Sequence, residues 1–423
     1  MKRNLLKASL FGALLLANTA YAQEFPIDNL NPRDQRSINA FENPKDSTST
    51  FDKMKVRIGG AFALQFQGIK HFSDADQNTA ATKLYPISNN FNLATANLDI
   101  DVALYDGVNL HLRTFLSSRH HNEAYVKGGY LQINKLDFIK KDLLADFMKH
   151  ATLKFGHDEI NYGDAHFRRS DNAYTITNPF VGNLLMDAYA TMVFAELYYR
   201  KDGFIGMAGV TNGRLNQNAN SGTSPSVYAK VGYDKQLKDD LRVRLTGSVY
   251  NTADTQRLDF YDGDRAGSRY YFVMENAAAT SSANFRSGQV VPDFKNKLTS
   301  IMVNPFVKYK GLEFFGTFES ASGRNFTEQD RRTWNQYAAE LLYRFGNNEN
   351  IYLGGRYNAV KGKIANGSNV SADRFNLGGG WFMTKNILTK LEYVNQKYDG
   401  FNPTSILYGG KFNGFMLEAA IAF

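Results

Sequence analysis

The 423-residue chain contains no cysteine. That excludes disulfide staples, thiol catalysis and a lipid-anchored cysteine at a mature N-terminus. Proline is scarce, with 9 in the chain, and tryptophan scarcer, with 2. Few prolines suit long uninterrupted strands, because each one removes a donor from a sheet ladder. Past the opening segment there is no apolar run of the roughly 20 residues that a membrane-crossing helix needs. A chain of this length could hold two or three soluble domains, yet no linker-like stretch separates two cores.

What is present points to export. The chain opens MKRNLLKASLFGALLLANTAYA, with a basic start (Lys2, Arg3, Lys7), an apolar run from Leu10 to Ala17 and an Ala20-Tyr21-Ala22 ending. That is the pattern of a secretory signal with an A-x-A cleavage site, so residues 1–22 are expected to leave and Gln23 to begin the mature protein. The apolar run is too short to serve as an anchor. The formal charge of +8 becomes +5 once those three basic residues are gone. A mildly positive exported protein suits small anions or lipopolysaccharide phosphates as partners, not nucleic acid.

Residues 23–55 are polar and aperiodic, and are expected to form a flexible periplasmic segment. From 56 to 423 the pattern changes. Segments such as KVRIGGAFALQFQGI, LRVRLTGSVY, NQYAAELLYRFG and NIYLGGRYNAV alternate apolar and polar residues. Each runs about ten residues, the length a tilted strand needs to cross a hydrocarbon core. Tight connections at 105–107, 201–203, 238–240, 310–311, 347–350 and 384–386 alternate with longer ones, including 158–190 and 255–296. Short turns on one side and long loops on the other define a transmembrane antiparallel up-and-down β-barrel, here all-β with about 16 strands. Two segments need separate treatment: LDFIKKDLLADFMK (136–149) has helical spacing, and RYYFVMEN (269–276) is expected as a hairpin inside a long loop.

The chain ends GFMLEAAIAF, an apolar–small alternation that finishes on an aromatic. A frayed tail would be polar. As a closing strand, it would turn Phe415, Leu417, Ala419, Ile421 and Phe423 to lipid and Met416, Glu418, Ala420 and Ala422 to the lumen. Applying the same parity elsewhere lines the lumen with Arg113, Lys154, Arg200, Lys230, Arg242, Arg244, Arg344, Arg356 and Lys390, joined by Arg57, Lys308 and Arg374. Asp99, Asp101, Glu196, Asp234, Glu313, Glu319, Glu340, Glu392 and Glu418 share that face. An Arg or Lys on the lipid face at midplane would cost about 2–4 kcal/mol, so inward charge is the expected outcome. So many ions imply a water-filled lumen, because desolvating each unpaired one costs several kcal/mol. Ring residues near strand ends (Tyr198, Tyr199, Tyr343, Trp381, Phe382, Tyr393) suit interfacial girdles or plain strand filling.

The third long loop carries adjacent Arg168 and Arg169. If it folds into the barrel, two guanidinium forks would stand in a pore constriction. In an external loop they would instead meet lipopolysaccharide or a loop carboxylate. His157, Asp158, Glu159, Asp164 and His166 form a ligand-rich set whose spacing matches no specific metal site. A lipid-acting barrel enzyme would need a nucleophile. The chain has no G-x-S-x-G elbow, and SSRHH (117–121) reads as ordinary loop composition.

The signal, the strand count, Phe423, the third loop with FRRSDNAYTITNPFVGNLLMD and late strands such as RFGNNENIYLGGRYNAVKG together resemble the phosphate-selective porin (porin O/P) family of Gram-negative outer membranes. The resemblance covers about residues 56–423. It implies a homotrimer that passes phosphate-like anions along an arginine ladder and a lysine cluster, past a loop-borne constriction. Only Arg168 and Arg169 transfer to that constriction, by lying in the third loop, and the inward carboxylates weigh against a channel dedicated to phosphate. The expectation is a passive outer-membrane channel for small hydrophilic solutes, leaning towards anions, with no cofactor, metal or catalysis. The alternative is a binding or assembly scaffold with an occluded lumen.

Overall fold

The computed structural model describes residues 26–116, 125–169, 174–213, 224–255, 258–262, 269–281, 286–365 and 367–423. The signal segment and SSRHH lie outside them. Sixteen strands form one closed antiparallel barrel. The first eight are β1 (Lys55–Phe72), β2 (Asn90–Tyr105), β3 (Val108–Leu116), β4 (Tyr125–Ile133), β5 (Ala151–Glu159), β6 (Thr191–Lys201), β7 (Phe204–Gly213) and β8 (Ser226–Lys238). The rest are β9 (Leu241–Thr252), β10 (Lys297–Tyr309), β11 (Leu312–Arg324), β12 (Arg332–Phe345), β13 (Ile351–Lys363), β14 (Asn369–Thr384), β15 (Ile387–Asp399) and β16 (Lys411–Ala422). Each strand pairs with its sequence neighbours, and β1 closes on β16 with Ala61 opposite Ala422 and Phe72 opposite Lys411.

Closure leaves no open sheet edge, the condition for a sheet to stand in lipid. The seam is tied at its end by the terminal residue: the Gly60 N–H donates to the Phe423 carbonyl at 2.9 Å, and the Phe423 N–H donates to Gly60 at 3.1 Å. The outer surface is a belt of apolar side chains. Leu341, Leu353, Leu391 and Phe415 are 54–58% exposed, while the intervening residues such as Glu418 are buried. An aqueous surface of that kind would be an aggregation site; against lipid it is the stable face.

Alternation therefore decides direction, and it corrects the reading of adjacent rings. Tyr343 and Trp381 face outward at 49% and 52% exposure, but Tyr198 and Phe382 are buried inside, since neighbours on a strand cannot share a face. The segment 136–149 keeps only one α-helical turn, Ala145–Met148, after a series of bends. The expected hairpin at 269–276 is not formed. Its residues take irregular turns with a lone bridge between Leu84 and Asn276, because their side chains are held by the barrel interior instead of by each other.

Candidate functional site

Three segments enter the barrel, and together they define the site. They are residues 26–54, the loop L3 between β5 and β6 (160–190), and the described parts of the loop L5 between β9 and β10 (253–296).

The first is a correction. The segment expected as a flexible lead-in runs across the mouth on the short-turn side as a strap. Ser49 bonds Asp106 in the β2–β3 turn at 2.5 Å, Lys45 donates to the Ala151 carbonyl at the start of β5 at 2.7 Å, and Gln35 reaches Asn350 before β13 at 3.2 Å. Between those anchors its charged side chains enter the wall lattice. Arg33 engages Asp99 at 2.5 Å and Asp101 at 3.0 Å, alongside Arg57, which holds Asp101 at 2.8 Å, and Arg113, which holds Asp99 at 2.7 Å. Gly59 makes this approach possible, since a Cβ there would lie 2.7 Å from the Arg33 side chain. Phe41 packs edge-on to Phe306 with ring centroids 5.3 Å apart, and the Arg244 guanidinium lies 4.2 Å from its centroid.

L3 carries its own acid into the lumen. Asp164 accepts from Arg244 at 2.7 Å, Lys230 at 2.9 Å and Thr246 at 2.7 Å. Glu42 of the strap shares the same two cations, at 2.8 Å from Arg244 and 3.5 Å from Lys230. Burial acts to raise both carboxyls, but the adjoining cations outweigh it and hold Asp164 at about 2 and Glu42 well below the usual carboxylate range. Arg242 forms a two-pronged pair with Asp234 at 2.8 and 2.7 Å.

Arg168 and Arg169 separate. Arg168 bridges Glu313 at 2.9 Å and Glu340 at 3.1 Å, and those acids also hold Arg344 and Arg356 at 2.9 and 2.8 Å. The result is one chain of alternating charge, from Arg344 through Glu313, Arg168 and Glu340 to Arg356. Arg169 turns the other way, to Asp187 within L3 at 2.8 Å and over the Tyr189 ring at 3.8 Å. The tip of L3 is pinned to the wall. The Val181 N–H donates to Glu392 at 2.7 Å, and Lys390 donates to the carbonyls of Thr175 and Phe180 while pairing Glu418. L5 contributes Arg269, which meets the same Glu418 at 2.7 Å, and Tyr270, which donates to Glu392 at 2.7 Å.

Most of the inward charges foreseen from parity are therefore buried and paired with protein, not bathed in a wide aqueous lumen. Arg113, Lys230, Arg244, Arg344, Arg356 and Lys390 are all buried. The ligand-rich residues of L3 divide as well. His166 bonds Glu159 and Asn161 at 3.1 and 3.0 Å, Asp164 serves the cations, and no metal-holding group of three forms among the described residues.

Two inward cations differ. Lys154 and Arg200 are only half-buried, and neither forms an ion pair among the described residues. Lys154 lies over the Tyr130 ring at 3.9 Å, and Arg200 donates to the Asn43 carbonyl and leaves its Nε unbonded. Both face a cavity of about 110 Å³ between strap, L3 and wall, shared with Arg113, His111, Asp158 and Tyr174. Arg200 also lines a recess of about 340 Å³ at the short-turn mouth, with Lys45, Lys149, His150 and Lys201. There burial, with Arg200 and Lys135 nearby, pulls the Lys45 ammonium down to about 8.

Sequence reasoning missed Arg33, Asn39, Phe41 and Glu42 altogether. The one available signal was NPRDQRSINAFEN, where both charge signs and two large apolar residues, Ile38 and Phe41, interrupt an otherwise polar stretch.

A closed sixteen-stranded barrel with an apolar belt, short turns at one end and inward-folded loops from the other is an outer-membrane barrel. Solved structures share the fold. The anion-selective porin from Comamonas acidovorans aligns with a TM-score of 0.53 at 12% identity, over 88% of this chain and 100% of that one. The outer membrane channel DcaP of Acinetobacter baumannii gives 0.52 at 12% identity, over 89% and 99%. OmpT of Vibrio cholerae, in trimer form, gives 0.52 at 13% identity, over 88% and 100%. At such identities the likeness is one of fold. No family model matches the chain, and no curated protein matches it.

Proposed function

We propose that the protein is a porin-like channel, exported by its N-terminal signal, for passive diffusion of small hydrophilic solutes with a lean towards anions bearing phosphate or carboxylate. The observation that carries this reading is the pair Lys154 and Arg200, inward cations without an ion-pair partner among the described residues, with Arg200 lining both the cavity and the mouth recess. Elsewhere most of the inward Arg and Lys meet carboxylates, and the buried Arg374 is taken up by the Asn183 and Gly288 carbonyls, so their field is local and the selectivity mild, not dedicated to phosphate. L3, with Arg168 cross-linking it to β11 and β12, forms one side of the constriction, and the strap forms the other. The resemblance to phosphate-selective porins and the anion selectivity of the Comamonas acidovorans porin support the same reading, and that resemblance together with the trimeric OmpT supports a homotrimer. Planar-bilayer recording of the purified protein tests it. Stepwise currents whose reversal potential in a KCl gradient has the anion-selective sign are expected, with phosphate reducing the chloride current. Cation selectivity would end the anion claim.

A second reading has its own observation. The strap, L3 and L5 fill so much of the lumen that the barrel would serve as a closed scaffold if they never move. Silence in the same recording, persisting after removal of the strap, would favour it.

A further inference from the structure

Among the described residues, every buried arginine but one lies within ion-pair distance of a carboxylate. The exception is Arg374 of β14, which is 1% exposed. Its guanidinium is held by neutral acceptors alone. Nε donates to the Gln396 side chain at 2.6 Å, Nη1 to the Asn183 carbonyl at 2.7 Å and Nη2 to the Gly288 carbonyl at 2.5 Å. Asn183 belongs to L3 and Gly288 to L5, so one fork clasps both loops to the wall. It does so near the long-loop ends of β14 and β15.

The clasped stretches, 183–190 of L3 and 286–290 of L5, are also bonded to each other. The Val290 N–H donates to the Leu185 carbonyl at 2.8 Å, and the Gln289 amide donates to Asp187 at 3.2 Å. Their other grips on the wall are neutral too: the Leu185 N–H donates to Asn358 at 2.6 Å and the Met186 N–H to Gln336 at 2.9 Å. The earlier part of L3 differs, because Asp164 and Arg168 tie it down through ion pairs. Stretches 183–190 and 286–290 therefore form one lid, fastened to the barrel by weaker bonds than the loop base beneath it.

Arg374 is the charged member of that fastening. A guanidinium bonds an ionised acceptor roughly twice as strongly as a neutral one, and its planar fork matches carboxylate and phosphate. With the Asn183 and Gly288 carbonyls on Nη1 and Nη2, an oxyanion gains that fork only in the state where the lid has lifted. A ligand that binds one of two states shifts the population towards it.

We propose that Arg374 is an anion-responsive latch on a joint L3–L5 lid. Without solute it holds the lid down through Asn183 and Gly288. When the lid lifts, the fork takes a phosphate- or carboxylate-bearing solute in place of those carbonyls, and the entrance stays open. The latch takes its ligand class from the reading of the lumen as a path for anions, and it gives the solute a part in opening that path.

The test is hydrogen–deuterium exchange of the full detergent-solubilised barrel, read in peptides spanning 183–187 and 286–290. Sodium phosphate is compared with sodium chloride at equal ionic strength. Phosphate should speed exchange in both peptides together, by about threefold or more. Arg374→Gln should exchange fast in either salt and lose the response to phosphate. Asn358→Ala removes a lid bond but keeps the charge, so it should raise the baseline and retain the response. Equal exchange of the parent in the two salts overturns the latch, and this comparison needs no variant to fold. A response that survives in Arg374→Gln, or that is confined to one of the two peptides, also overturns it. Exchange reads the lid without any current. A phosphate response in a barrel that proves silent or cation-selective would end the channel reading and leave the latch standing, and anion-selective currents with no such response would do the reverse.

Discussion

Arg33 of the strap grips Asp101 of β2 with a two-pronged fork, its Nε and Nη2 each 3.0 Å from a carboxylate oxygen. The two residues lie 68 positions apart, yet this contact helps decide whether the mouth at the short-turn end is covered. The planar guanidinium suits this bidentate grip, which a lysine could not reproduce.

Replacing Arg33 by Ala should release one end of the strap. Breaking a buried ion pair by removing one partner costs about 3–5 kcal/mol. Asp101 would still have Arg57 and His111, so the loss should fall at or below the lower end of that range. Denaturant unfolding reads the stability, and single-channel recording should show larger or more frequently open steps. Unchanged conductance together with unchanged stability would mean that the strap does not narrow the mouth.

Phe41→Ala attacks the same strap through packing. The ring is buried among Phe306, Phe315 and Phe167, and removal of a buried Phe costs about 3–5 kcal/mol. Limited proteolysis should then cut within 26–54 well before the barrel, whereas the parent protein should resist cleavage there. Equal resistance in both would show that the ring does not hold the strap down.

The docked state should fail in acid. Asp164 is held at about 2, below its ordinary value near 4, so its contribution is fully present above about pH 4 and is lost as pH falls through 2. That amounts to stabilisation on the order of 2 kcal/mol. Glu42, also held down by Arg244 and Lys230, acts in the same direction. Conductance measured from pH 6 to pH 2 should rise towards the acid end, and Asp164→Asn should already conduct more at neutral pH. A flat profile in the parent would contradict the docking role of this acid.

Lys154→Ala and Arg200→Ala, singly and together, should lower the anion-to-cation permeability ratio by roughly twofold or more, since a fixed charge in a narrow, low-dielectric passage acts at full strength. Lys154→Arg should keep the ratio. Arg168→Ala should behave differently: it leaves Glu313 and Glu340 each with one remaining arginine, so it should lower stability and loosen L3 more than it changes ion preference. A larger change in selectivity from Arg168→Ala than from the Lys154 and Arg200 pair would transfer the selecting role to L3.

Much of the barrel was legible because its rules are local. In β9, Leu245 and Val249 point outward while Arg244 is buried, as a period of two requires once one face meets lipid. The paired L3 arginines were legible as residues but not as a geometry. Arg168 finds Glu313 and Glu340, which lie 145 and 172 positions away, and nothing in the spacing of the loop encodes them. The hairpin expected at 269–276 failed for a related reason: Arg269 and Tyr270 are committed to Glu418 and Glu392 on the wall, so no partner strand forms beside them.

The sequence alone determined the barrel's strand number, the direction of most strand side chains and the inward placement of charge. Each of these follows from backbone alternation and from the cost of putting an ion in hydrocarbon, which act residue by residue. Only the tertiary structure decided what the inward charges do. Whether a lumenal arginine faces water or a carboxylate depends on which aperiodic segment reaches it. Arg33, Glu42 and Asp164 reach theirs through long-range ion pairs that leave no periodic trace in the chain.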